Sequence, residues 1–270
     1  MLLVMGFTAQ RTFWPQAMVD LLVDAGFFVV MHDNRDCGLS SKLDGVEVDI
    51  MAAMTALATG DASALPPVPY LLSDMSDDAF AVLDDLGIDQ AHVAGASMGG
   101  MIVQTMAIEH PERVLSMASI MSTTGEHEFG AAAPEALAAL LTPPPTDRAA
   151  YIDASTRSEV WSSKRYFDAD ETRARAAESF DRSFYPEGSP RQLAAIVASG
   201  PRNEGLSTLT VPTVVIHGAD DRLITPSGGA RTAELVPGSR YVLFSDMGHD
   251  LPAPVLPGIV DAVASNARRG

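Results

Sequence analysis

The chain has 270 residues, 47% hydrophobic and 20% charged, which suits one sizeable globular domain with room for an inserted subdomain. Its 35 acidic and 18 basic residues give a net charge of −17, which argues against nucleic acid as a partner because phosphate binding needs a basic face. One cysteine, Cys37, cannot form an internal disulfide, and no apolar run nears the ~18 residues of a membrane span, so a cytoplasmic protein with no membrane partner is expected.

The opening run Met1-Leu2-Leu3-Val4-Met5-Gly6 has neither the charged start nor the cleavage site of a signal peptide and reads as a strand over residues 2–5. Helical spacing follows over 15–24, stopped at Gly26. A buried strand over 27–31 leads into the polar turn Asp33-Asn34-Arg35-Asp36-Cys37-Gly38. Residues 44–70 lack a regular period, and Pro66-Pro67-Val68-Pro69 closes them as a loop. A helix is predicted over 74–86, with Ser73 as N-cap and Gly87 as its stop. Strands over 91–94 and 114–121 flank a helix over 98–109.

The pattern then changes. Residues 124–208 show no clear strand, are Ala-rich, and are broken by Pro143-Pro144-Pro145, Pro186 and Pro190. About 85 residues is too long for a simple connection, so an inserted helical cap is expected there. It divides a core of residues 1–123 and 209–270. Alternation resumes with a strand over 211–216, a helix over 227–235, a strand over 241–244 and a last helix over 254–267. Strands alternating with helices predict an α/β fold with a mostly parallel sheet.

The chemistry centres on Gly95-Ala96-Ser97-Met98-Gly99, a G-x-S-x-G match between a predicted strand and a predicted helix. A serine on so tight a turn needs glycine two residues to either side, where the backbone crowds. Ser97 is therefore the candidate nucleophile, against the plainer reading of a structural turn. It needs a base. Of six histidines, His32 and His92 lie in strands, His110 ends a helix, His127 lies in the cap and His217 ends a strand. His249 stands in the loop Met247-Gly248-His249-Asp250-Leu251-Pro252 after the last strand, where it can swing over the sheet's carboxyl edge. Activity should fall on acidification as such a base is protonated.

The acid that orients the histidine is expected from His217-Gly218-Ala219-Asp220-Asp221, after the penultimate strand. Asp221 is preferred, with Asp220 and then Glu126 as alternatives. Backbone amides of Met98, at a helix N-terminus, and Phe7, in the loop after the first strand, are the candidate oxyanion donors. No metal-ligand spacing and no dinucleotide fingerprint occur, so no cofactor is expected. Met98 and Met247 are candidates for an adaptable apolar pocket, and most other methionines for core. Trp161, Tyr166, Phe167, Phe180, Phe184 and Tyr185 either cover a hydrophobic substrate or pack within the cap.

These segments, together with Asp33 to Ser40, resemble the α/β-hydrolase superfamily, and within it the esterase branch that contains the anthracycline (aclacinomycin) methylesterases. The resemblance implies hydrolysis of a small, hydrophobic carboxylic ester through an acyl-enzyme, and a structural role for Asp33 and Arg35. Two departures stand out. Met5-Gly6 replaces the usual His-Gly, and the family normally has about two strands before the one that opens this chain, so that either the start is truncated or the sheet is shortened. The strand over 27–31 is then expected at an exposed edge, open to pairing with another copy. Carbon–carbon bond hydrolases often have Asn where this chain has Ala96, cofactor-free haloperoxidases share Met98 and Phe7, and some members of the fold are ligand receptors.

Overall fold

The structure, a computed structural model, describes residues 1–270 apart from 62, 64 and 66 and the side chain of residue 57. Pro66, at the head of the predicted loop, lies outside the described residues. Among the described residues six strands form one sheet: β1 (Leu2–Val4), β2 (Val30–Met31), β3 (Ala91–Ala96), β4 (Val114–Ile120), β5 (Thr213–Gly218) and β6 (Arg240–Phe244). Their order is β2-β1-β3-β4-β5-β6, and every neighbouring pair is parallel. Period-2 alternation sends successive side chains to opposite faces. Leu2, Val4, Val93 and Met117 enter one buried cluster; Leu3, Met5, Ala94, Ala118 and Ile120 enter the other. Both faces are covered by helices, so the inner strands read as continuous apolar runs.

α3 (Leu72–Asp85), α4 (Met98–Glu109) and α10 (Pro226–Leu235) contribute to the first cluster. α1 (Gln16–Asp24) and α11 (Leu256–Ala267) supply Met18, Leu22, Ile259 and Val263 to the second. Each fully buried aliphatic side chain contributes roughly 1.5–3 kcal/mol relative to exposure. Between β4 and β5 the described residues form α5 (Pro134–Leu141), α6 (Arg148–Ala154), α7 (Ala169–Arg182), α8 (Ser189–Ser199) and α9 (Asn203–Ser207), with no strand among them. No helix among the described residues is long and apolar enough to cross a membrane.

Some boundaries move. A helix, α2 (Ile50–Thr59), occupies the stretch whose sequence shows no regular period; the Asp49 side chain caps it by accepting from Ala52 N at 2.9 Å, and Gly60 ends it at φ +70°. α3 begins at Leu72, not residue 74. Its N-cap is Leu71, whose N–H donates to Asp74 Oδ2 at 2.7 Å, and Ser73 lies inside the first turn. β5 starts after Pro212, which has no N–H for the ladder. The edge strand is β2, but its ladder comprises only Leu2↔Val30 and Leu3↔Met31, so residues 27–29 precede it, with Phe28 71% exposed.

The order reverses direction between β1 and β3: the chain steps to β2 on one side, then returns to the other. Such a switch point opens a crevice beyond the carboxyl ends of the two strands. The segments that leave it are Met5-Gly6-Phe7-Thr8 and Ser97.

Candidate active site

Ser97 occupies the single residue between β3 and α4 at φ +57°, ψ −120°, a backbone conformation that non-glycine residues avoid. Its N–H donates to Ile120 O at 2.9 Å, and its carbonyl accepts from Ser122 Oγ at 2.8 Å and Gly100 N at 2.9 Å. The flanking glycines have different reasons. A Cβ on Gly95 would overlap the Gly99 carbonyl, whereas one on Gly99 would overlap the Val4 carbonyl of β1.

The structure brings Ser97, His249 and Asp221 together. His249 Nε2 lies 2.9 Å from Ser97 Oγ, and His249 Nδ1 lies 2.7 Å from Asp221 Oδ2. An ionised carboxylate only accepts, so Nδ1 carries the proton and Nε2 is left free to accept from the Ser97 hydroxyl. Asp221 is buried; its Oδ1 accepts from the amides of Leu223 and Ile224 at 2.9 Å each. Burial pushes its carboxyl up, but the neighbouring His249 and His217 outweigh that and hold it below the ordinary aspartate value. The loops carrying the pair are joined: Asp220 N donates to Met247 O at 2.9 Å. His249 N also donates to Trp161 O at 2.7 Å, tying this loop to the helical segment.

Among the described residues the Phe7 amide has no protein acceptor, and the Met98 amide opens α4, where no carbonyl lies four residues back within the helix. The loop bearing Phe7 abuts the serine, since a Cβ on Gly6 would sit 3.0 Å from Ser97 Cβ. Ser97 and His249 open onto a cavity of about 380 Å³, within the range that holds a small organic ligand. Phe7, Phe13, Leu140, Tyr151, Trp161 and Phe167 give it largely apolar walls. A second cavity of about 580 Å³, around Leu72, Glu109 and Arg202, contains none of the predicted residues.

The alternatives are occupied elsewhere. Asp220 pairs with Lys164 at 2.8 Å and Glu126 with Arg231 at 3.0 Å. His92 Nδ1 meets Ser116 Oγ at 2.9 Å, and both ring nitrogens of the half-buried His32 are enclosed without a polar partner among the described residues. His217, which sequence reasoning passed over as a strand end, stands beside the site. Its Nε2 donates to Ile224 O at 2.8 Å and lies 3.3 Å from Asp221 Oδ2. Its position four residues ahead of Asp221 was the available signal. Asp33 accepts from Arg11 N and Leu39 N at 2.8 Å each and pairs with Arg182, and Arg35 pairs with Asp78 at 2.6 Å.

Met98 and Met247 do not line the cavity: Met98 is buried in the first cluster and Met247 in the second, and Met5 and Met121 line it instead. The aromatic group divides. Trp161, Tyr166 and Phe167 line the cavity. Phe180 and Phe184 stack on each other with centroids 4.5 Å apart, and Tyr185 donates to Asp44. Cys37 is buried, and burial pushes its thiol up to about 12, so it stays protonated and unreactive.

Known proteins share this arrangement of chain. Rhodomycin D methylesterase DnrP of Streptomyces peucetius is 29% identical over 297 residues, covering 99% of this chain and 90% of the relative. A 2-hydroxy-6-oxononadienedioate/2-hydroxy-6-oxononatrienedioate hydrolase of a Pseudomonas species is 28% identical over 242 residues, covering 86% of this chain and 74% of the relative. The enol-lactonase of Burkholderia xenovorans LB400 superposes with a TM-score of 0.74 at 20% identity, over 99% of this chain and 90% of its own. The family described as alpha/beta hydrolase fold matches residues 1–252, in keeping with the parallel sheet and the serine turn, and the chain belongs to it.

Proposed function

We propose that the chain is a carboxylic ester hydrolase in which Ser97 is the nucleophile, His249 the general base and Asp221 the acid that orients it. One observation carries this reading: the unbroken series Ser97 Oγ, His249 Nε2, His249 Nδ1 and Asp221 Oδ2, with links of 2.9 and 2.7 Å, at a cavity wall. Ser97 Oγ attacks the ester carbonyl carbon while its proton passes to His249 Nε2. The developing oxyanion accepts from the Phe7 and Met98 amides, each such donor being worth about 2.7–4 kcal/mol in the transition state. The carbon–oxygen bond to the alcohol then breaks as His249 returns the proton to the leaving oxygen. Water, deprotonated by the same imidazole, frees the acid and regenerates Ser97.

Residues 124–208 serve as the cap, since Tyr151, Trp161, Tyr166 and Phe167 from that segment face the cavity opposite Phe7 and Ser97. The apolar lining favours a hydrophobic ester, in line with the methylesterase relative. The test is hydrolysis of p-nitrophenyl acetate and butyrate by the protein and by Ser97→Ala, with a serine-directed phosphonate to identify the labelled residue. Turnover that falls by about 10³-fold or more in the variant is expected. Equal turnover by both would remove Ser97 from the mechanism, and no turnover by either would point to a ligand receptor. Faster consumption of a vinylogous diketone than of esters would favour carbon–carbon hydrolysis.

A further inference from the structure

The loop that carries the Phe7 amide is held in a form its own sequence disfavours. Ala9 N–H donates to Gly6 O at 3.3 Å, closing a turn whose third residue, Thr8, takes φ +56°, while Phe7 stays at negative φ. That is the pattern of a type II turn, where the third position usually belongs to glycine. A β-branched residue at positive φ is strained. Flipping the central peptide would give a type I turn, in which threonine sits at negative φ without strain.

One side chain opposes the flip. Gln192, on α8 and completely buried, accepts the Thr8 N–H at Oε1 at 2.8 Å. Its Nε2 donates to Arg35 O at 2.8 Å, which fixes the end of the carboxamide that faces Thr8. Cys37 Sγ–H donates to Thr8 O at 3.2 Å, in the following peptide, which the flip leaves in place. In the flipped turn the Phe7 carbonyl would replace the Thr8 N–H and meet Gln192 Oε1, oxygen against oxygen.

We infer that Gln192 is a positioning residue for the oxyanion hole: from the helical segment it pins the Gly6–Ala9 turn and so sets where the Phe7 amide sits. The inference rests on the reading of that amide as an oxyanion donor. Released, the turn relieves Thr8 by flipping the Phe7–Thr8 peptide; the Phe7 amide, in the preceding peptide, is displaced with the turn rather than reversed, and a displacement of about 1 Å at a reacting group costs as much as a hundredfold in rate.

The test is a double-substitution cycle with p-nitrophenyl butyrate. Gln192→Leu should lower kcat about 10- to 100-fold, leave KM within about threefold, and slow phosphonate labelling of Ser97 in proportion. In a Thr8→Gly background, where glycine takes positive φ without strain, the same substitution should cost less than about threefold. An equal kcat loss in both backgrounds, or unchanged kcat in Gln192→Leu, would overturn the inference. Should Gln192→Leu fail to fold, Gln192→Asn keeps a carboxamide in the site but draws it back by one methylene from Thr8 N–H, and carries the same cycle. A kcat fall suppressed by Thr8→Gly supports the pinning, and one that Thr8→Gly leaves intact refutes it. Failure of the phosphonate to label Ser97 in the unmodified protein would instead overturn the proposed function itself.

Discussion

At Asp221 one carboxylate accepts from three donors, His249 Nδ1 at Oδ2 and the Leu223 and Ile224 amides at Oδ1, while His217 Nε2, whose hydrogen goes to Ile224 O, lies 3.3 Å from Oδ2. The two amides fix the carboxylate plane and leave Oδ2 aimed at His249. Asp221→Asn preserves volume and most of this geometry, yet its amide end cannot accept from His249 Nδ1–H. The imidazole is then driven to the other tautomer, with its proton facing Ser97 and no lone pair to take the hydroxyl hydrogen. The expected result is a fall in kcat of about 10³- to 10⁴-fold, with a fold that still melts cooperatively. Steady-state kinetics beside a thermal melt would check it. A loss below tenfold would mean that Asp220, or no acid at all, serves the histidine.

β3, the Ser97 turn and α4 behave as one piece because β1 lies against the first turn of the helix. Gly99 meets β1 backbone at the Val4 carbonyl, and backbone cannot move aside as a flexible side chain can. Gly99→Ala should therefore cost more than about 2 kcal/mol of stability and abolish activity, read by denaturant unfolding and ester turnover. A loss under about 1 kcal/mol would show that strand and helix separate easily there. The serine turn was legible in the sequence for this steric reason, as were strands whose apolar runs are buried on both faces. Ser97, Asp221 and His249 followed because each ends a strand or stands in the loop after one. What escaped has a physical cause as well. α2 is almost wholly apolar or Ala, so it has no polar face to set a period, and only Asp49 and Gly60 mark its ends. Gln192 was invisible because its partner Thr8 lies 184 residues away. The aromatics of residues 124–208 divided between cavity and interior through packing that no local pattern encodes.

Across the whole molecule two effects of charge oppose each other as pH falls. The net charge of −17 repels itself at neutral pH, so moderate acidification, or salt that shortens the screening length to about 8 Å at 0.15 M, should raise the melting temperature. Against this stand the buried aspartates that fasten the helical segment to the core. Asp33 pairs with Arg182 of α7, and Asp36 with Arg191 of α8, at 2.8 Å each. Burial pushes both carboxyls up, but the backbone and guanidinium donors outweigh it and hold each below its ordinary value. A carboxyl depressed in the folded state stabilises the fold above its unfolded value, about 3.9 for aspartate, and that contribution is lost as pH falls through the lower folded value. The melting temperature should therefore rise from pH 8 to about 5.5 and drop steeply below about 4. Asp33→Asn should melt lower than the unmodified protein at pH 7, by an amount equivalent to about 2–3 kcal/mol, because Arg182 and two amides lose a charged acceptor. As both proteins are acidified the two melting curves should converge, since Asp33 itself becomes neutral. A gap that stays constant down to pH 3 would show that shape rather than ionisation at Asp33 joins α7 to the loop after β2.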